Sequence, residues 1–174
     1  MSPCMHALRA ATLAVFGLVA GFATSLAADP LPAMTGEVVL TVSGAIAVTN
    51  SDRGAALSMD FLQSLPKITF ATETPWTTGK VTFEGVRLRD VLARLGATGE
   101  KVVAGAVNDY FADIPMDDVA NYDVILAYKL DGVPLDPTER GPLWVMYPYS
   151  DRPDIQEDVH YGRAVWQLDR LEVK

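Results

Sequence analysis

Between Ile68 and Asp90 the sequence ITFATETPWTTGKVTFEGVRLRD commits the chain to a strand, a turn, a second strand and the start of a helix. Ile68, Phe70 and Thr72 fall on one face at period two, the spacing of a half-buried strand. TPW and TTGK then turn the chain, and KVTFEGV predicts the second strand. Leu88, Val91, Leu92 and Leu95 follow at helical spacing, with Gly96 as the stop. A strand that ends in a polar, aromatic-tipped turn is a common way of presenting side chains to a ligand. This turn offers Thr72, Glu73, Thr74 and Trp76, with no cysteine and no histidine.

The remaining segments fill in around that unit. EVVLTVSGAIAVTN predicts a strand over Val38–Val42 and a second piece near Ile46–Thr49, before a turn at Asn50-Ser51-Asp52. Ser58 is placed to cap a short helix through Leu65, which Pro66 ends. Lys101–Val107 predicts a strand, and Asn108–Pro115 a polar and aromatic loop. Asp117–Asn121 predicts a helical turn, and Tyr122–Leu130 a strand closed by the turn signal Asp131-Gly132. Pro134–Pro142 is expected as loop, Leu143–Tyr147 as strand, Pro148–His160 as polar connector and Val165–Val173 as the last strand. Strands outnumber helices and do not alternate with them regularly, which predicts an α+β class with a mixed β-sheet core and short helices.

Residues 1–27 have the makings of an export signal. His6 and Arg9 precede an apolar run from Ala10 to Ala20, and Ser25-Leu26-Ala27 predicts cleavage after Ala27. The rival is an uncleaved anchor, for which the run is short and rich in small residues. Cleavage leaves 28–174 as a single domain, and loss of Arg9 with no acid takes the formal charge from −8 to −9. That acidity speaks against nucleic acid, whose phosphates need clustered Lys and Arg. Cys4 is the only cysteine, so the exported chain would carry no thiol and no disulfide, and a domain of this length can bury enough surface without one.

Several chemistries fail on residue type. His160 is the sole histidine beyond the signal, which rules out a Cys/His zinc site. Asp151, Asp154, Glu157 and Asp158 lack the EF-hand spacing and are expected as a solvated acidic loop. No G-x-S-x-G turn supports a nucleophilic serine, and Gly79, Gly85, Gly96, Gly99 and Gly105 form no phosphate cradle. Asp117 and Asp118 stand where a helix start favours negative charge.

A series of motifs in order carries a resemblance. W-x-x-G-x-V-x-F-x-G-V-x-L-x-D-V-L (Trp76–Leu92) is followed by Asn108-Asp109-Tyr110 with Ile114-Pro115. VILAYKLDGVPL, GPLWVMYP and Arg163-x-x-Trp166-Gln-Leu complete it. From about Ile68 to Lys174 this resembles the sulfite-oxidase fold, the molybdopterin-binding oxidoreductase domain. In that family a cysteine thiolate from the region corresponding roughly to Phe70–Thr74 binds molybdenum. Here the region reads F-A-T-E-T, and a threonine hydroxyl is a poor ligand for such a site. With no thiol to replace it, the chain is similar to the periplasmic pterin-binding regulators of the PruR type. That resemblance implies a periplasmic, non-catalytic protein that binds a free pterin without molybdenum. It also implies a relay to the periplasmic part of a membrane-bound diguanylate cyclase or phosphodiesterase, and so cyclic-di-GMP signalling. The alternative it leaves is a molybdopterin-dependent oxidoreductase that has lost the usual cysteine ligand.

A pterin needs an aromatic partner for its face, a carboxylate for its amine-and-amide edge and a cation or N–H for its carbonyl. Trp76 beside Thr72 and Thr74 is the stacking candidate, and Asp113 and Asp109 are candidates for the donor edge, with Asn108 and Tyr110 as added polar contacts. Arg163 and Arg152 can face the carbonyl, while Tyr147 and Tyr149 can wall the pocket. Each has a structural reading too: aspartates turn loops, tyrosines rim cores and arginines pair with acids. Trp144 and Trp166 are expected in the core.

Overall fold

The computed structural model describes residues 30–31 and 36–174; the expected signal segment and its cleavage point lie outside them. Strand β1 (Val38–Gly44) pairs antiparallel with β2 (Ala55–Ser58) and parallel with the last strand, β10 (Leu168–Val173). Beyond β10 come β5 (Lys101–Ala106) and β6 (Phe111–Pro115), giving a five-stranded sheet in the order β2-β1-β10-β5-β6. A second sheet runs β3 (Lys67–Glu73), β4 (Lys80–Arg87), β7 (Ile125–Leu130), β8 (Val133–Pro134), with β9 (Trp144–Met146) also on β7.

The helices are short: α1 (Met59–Ser64), α2 (Leu88–Arg94), α3 (Met116–Asn121) and α4 (Asp158–Gly162). Ser58 caps α1 as its residue type predicts, its Oγ accepting the Phe61 N–H at 3.3 Å. The chain leaves α2 through Gly96 at φ +62°, the left-handed conformation glycine takes without penalty. Mixed sheets with a few short helices are the class the sequence predicts.

One contiguous core spans both sheets, from Leu40, Val42, Leu171 and Val173 on the first to Phe83, Val86, Ile125 and Leu126 on the second. The segment 143–146 sews the sheets together. Val145 N–H donates to Val165 O at 2.8 Å, Leu168 N–H to Leu143 O at 3.0 Å, and the buried Trp144 indole N–H to Ala164 O at 3.1 Å. A buried indole that finds an acceptor in this way keeps its large apolar contact without stranding a donor.

Three expectations are corrected and one strand is added. Ile46–Thr49 is not a strand; the N–H groups of Ala47 and Val48 both donate to Leu95 O at the end of α2, so this apolar piece packs as a loop over the helix terminus. Asn108–Pro115 is not a loop throughout, because Phe111–Pro115 forms β6 against β5. Ala55–Ser58, unassigned from sequence, is β2. The supposed connector Pro148–His160 contains two 3-10 turns (Tyr149–Asp151 and Pro153–Ile155) and most of α4.

Candidate functional site

Two turns bring chemistry to one end of the sheets. The β3–β4 turn is held by Thr74, whose Oγ1 accepts the Trp76 N–H at 3.2 Å and lies 2.8 Å from Thr77 Oγ1. This fixes Trp76 just past the strand end. The β5–β6 turn closes as Ala106 N–H donates to Tyr110 O at 2.9 Å and Asp109 N–H to Ala106 O at 3.1 Å, with Asp109 at φ +62°. Asn108 Oδ1 takes the Tyr110 N–H at 3.2 Å, and the Tyr110 hydroxyl donates to Gly162 O of α4 at 2.7 Å.

Between these turns and α4 lies a cavity of about 300 Å³ lined by Trp76, Asn108, Tyr110, Tyr161, Trp166 and the small residues Ala106, Gly162, Ala164 and Val165. That volume is at the lower end of what small-molecule sites use. Its wall is mainly aromatic. Trp76 meets Trp166 at 5.8 Å between ring centroids, Tyr161 at 6.0 Å and the core ring of Trp144 at 5.7 Å, all edge-on. Edge-to-face contacts of this kind contribute about 0.5–1.5 kcal/mol each beyond area burial, so the wall is stiff. No charged side chain lines it. Among the described residues the Trp76 and Trp166 indole N–H groups and the Tyr161 hydroxyl make no hydrogen bond within the chain.

A second cavity of about 280 Å³ adjoins the first. Glu73, Thr74, Pro75, Ser150, Gln156 and Tyr161 line it, so Tyr161 belongs to both. Polar groups dominate here, and Gln156 is held by donating from Nε2 to Tyr149 O at 2.6 Å.

Of the candidate residues, Trp76, Asn108 and Tyr110 come together on the first cavity and Thr74 on the second. Thr72 is fully buried behind them. Its Oγ1 accepts the Ser150 N–H at 2.9 Å and lies 3.3 Å from Ser150 Oγ, so this hydroxyl fastens β3 to the 149–151 turn. Asp109 and Asp113 do not line either cavity: Asp109 pairs with Arg170 at 2.8 Å and Asp113 with Lys101 at 2.6 Å. Arg152 is likewise engaged elsewhere, bidentate on Asp154 and 4.4 Å from the Tyr122 ring centroid. Arg163 donates to Asp118 at 2.8 Å and to Asp113 O at 3.1 Å.

Tyr147 and Tyr149 are core, not pocket wall. Tyr147 donates to the buried Asp118 carboxylate at 2.9 Å, Tyr149 to His160 O at 3.1 Å, and their rings stack at 5.9 Å. Burial drives both phenols far above their ordinary pKa, and the negative charge of Asp118 pushes Tyr147 further the same way. Trp166, expected in the core, is half-buried and lines the cavity; Trp144 is core as expected. Tyr161 and Gly162 were not singled out by sequence, because a five-residue helix in a polar run shows no apolar periodicity.

Among the described residues no group of three or more His, Cys, Asp or Glu is placed to hold a metal ion, and none is long and apolar enough as a helix to cross a membrane.

A family model described as the oxidoreductase molybdopterin binding domain matches residues 30–150, well over half of the chain. Among solved structures, the chain is similar to the crystal structure of the sulfane dehydrogenase SoxCD from Paracoccus pantotrophus. The two share 19% identity at a TM-score of 0.58, over 77% of this chain and 37% of that one. The chain thus spans little more than a third of that structure's length, and at this identity the likeness speaks to the fold. No curated protein sequence matches the chain.

Proposed function

The chain belongs to the oxidoreductase molybdopterin binding domain family, and from that premise we propose that it is an exported protein that binds a pterin without metal and relays its presence to a membrane-bound signalling partner. The observation that carries this reading is the composition of the two cavities. A flat heterocycle needs aromatic surface and a few polar contacts at its edges, and the first cavity offers Trp76, Tyr161 and Trp166 together with Asn108.

The metal-bearing, phosphorylated form of the family's cofactor fits less well. Residues 5–174 contain no cysteine, and Thr72, within the stretch where the family's thiolate stands, has its hydroxyl engaged by Ser150. A hydroxyl that is protonated at neutral pH supplies neither the charge nor the softness of a thiolate. Neither cavity is lined by Lys or Arg, the residues that answer a phosphate. The bicyclic ring has matching partners; the metal and the phosphate do not. No reaction step is therefore assigned to these residues.

Export to the periplasm and a cyclic-di-GMP enzyme as partner are part of the same proposal and rest on the resemblance to the periplasmic pterin-binding regulators, carried by the sulfite-oxidase-type motifs together with the absence of a thiol at Phe70–Thr74. Relay of this kind requires the partner's affinity to differ between the ligand-free and ligand-bound forms.

The test is to purify the exported protein, titrate it with a reduced pterin while following tryptophan fluorescence, and assay molybdenum by mass spectrometry. Saturable quenching at one pterin per chain with molybdenum far below one per chain is expected. Stoichiometric molybdenum, or turnover of sulfite or a sulfoxide, would overturn the reading.

A further inference from the structure

A pterin's pyrimidine half carries a 2-amino group beside N3–H, two donors in parallel, and a carboxylate is the group that accepts both at once. The aspartates on the β5–β6 hairpin are already in ion pairs with Arg170 and Lys101. Glu73 is not. It is the last residue of β3, stands opposite Lys80 in the β3–β4 register, and makes no ion pair among the described residues. Glu73 is exposed and lines the polar cavity, which shares Tyr161 with the aromatic one. Its backbone is anchored, since Glu73 N–H donates to Ser150 Oγ at 2.9 Å. Ser150 is in turn tied to the buried Thr72 hydroxyl, so the strand end that carries Glu73 has a fixed position.

We infer that Glu73 is the specificity-determining residue of the site, accepting hydrogen bonds from the 2-amino group and N3–H of a ligand whose ring lies against Trp76 and Tyr161. The inference rests on the reading that the aromatic cavity takes a pterin. Glu73 selects a 2-amino-4-oxopyrimidine edge over a 2,4-dioxo edge, because the 2-oxo group of the latter turns an acceptor toward one carboxylate oxygen, leaving those two atoms unpaired and N3–H as the one remaining donor. Asn108 lines the aromatic cavity, and its amide, which both donates and accepts, is available to the ring's other polar atoms.

The experiment compares a pterin with the corresponding pteridine-2,4-dione by fluorescence titration of wild type, Glu73→Gln, Glu73→Ala and Asp113→Asn. Wild type and Asp113→Asn are expected to favour the pterin by about tenfold or more, the scale of a charge-assisted pair. Glu73→Gln, whose amide can accept from N3–H and donate to a 2-oxo group, should abolish or invert that preference, and Glu73→Ala should bring the ratio close to one. If wild type binds pterin but both Glu73 variants keep the wild-type ratio, the inference fails while the pterin reading stands. If wild type binds neither compound, the pterin reading itself fails.

Discussion

The Thr72 hydroxyl accepts the Ser150 backbone N–H across 2.9 Å, joining residues 78 apart in sequence at a point with no solvent access on the threonine side. Replacing Thr72 by valine keeps the shape and removes the acceptor. A buried N–H left unpaired costs about 1–3 kcal/mol, so Thr72→Val should lower the unfolding free energy by that amount, read as a lower urea midpoint at an unchanged m-value. An unaltered midpoint would mean that Ser150 finds another acceptor.

Trp76 supplies the face against which a ring can lie and also closes the aromatic wall with Tyr161, Trp144 and Trp166. Trp76→Ala should weaken pterin binding about tenfold or more, corresponding to roughly 1 kcal/mol or above of stacking. Trp76→Phe should recover much of the loss. Equal affinity in Trp76→Ala and wild type would remove this residue from the binding surface.

Asp118 is the hub of a buried polar group, accepting from Arg163 at 2.8 Å and from Tyr147 at 2.9 Å, with His160 Nε2 at 3.8 Å. Asp118→Ala strands a guanidinium and a phenol. The expected loss is about 2–4 kcal/mol, at the lower part of the usual range because Arg163 keeps some contact with water. Combining Asp118→Ala with Arg163→Met should cost less than the two changes added together, a coupling that chemical denaturation of the four proteins would measure.

Tyr147 and Tyr149 hold their protons more tightly folded than unfolded, through burial above all. The sign follows from linkage: below about pH 10, the unfolded value, both states are protonated and stability is level. Above it the unfolded chain loses protons that the folded chain keeps, and stability falls by up to about 1.4 kcal/mol per pH step for each tyrosine. Alkaline unfolding curves should show this descent, and a Tyr147→Phe, Tyr149→Phe double variant should flatten it. Phenolate absorbance from these two residues should rise only with unfolding.

What could be read from sequence divides along physical lines. The β3–β4–α2 unit was legible because its signals are local: period-two apolar residues, a Pro-Trp turn and helical spacing closed by Gly96. β6 was hidden because Asn108-Asp109 announces a turn, and the strand after it has Phe111 and Asp113 exposed, so it lacks an apolar stripe of any length. Ile46–Thr49 misled for the opposite reason: it alternates well, but its N–H groups are claimed by Leu95 at the end of α2, a long-range competition no local pattern reports. Trp76 stands at a strand end, a position local pattern reports, and lines the aromatic cavity. Tyr161 was missed because its place on the cavity depends on how α4 docks, and the tyrosines at 147 and 149 were overrated because an aromatic pair after a strand looks the same whether it faces a pocket or a core.

The phenol of Tyr110 spans from the β5–β6 turn to the Gly162 carbonyl and so completes the rim of the aromatic cavity with one weak link. A neutral hydrogen bond at a half-exposed position is worth about 1 kcal/mol net, which leaves the link undone in roughly one molecule in six at room temperature. Breaking and re-forming it takes only a side-chain rotation, on the nanosecond scale, and asks nothing of either sheet.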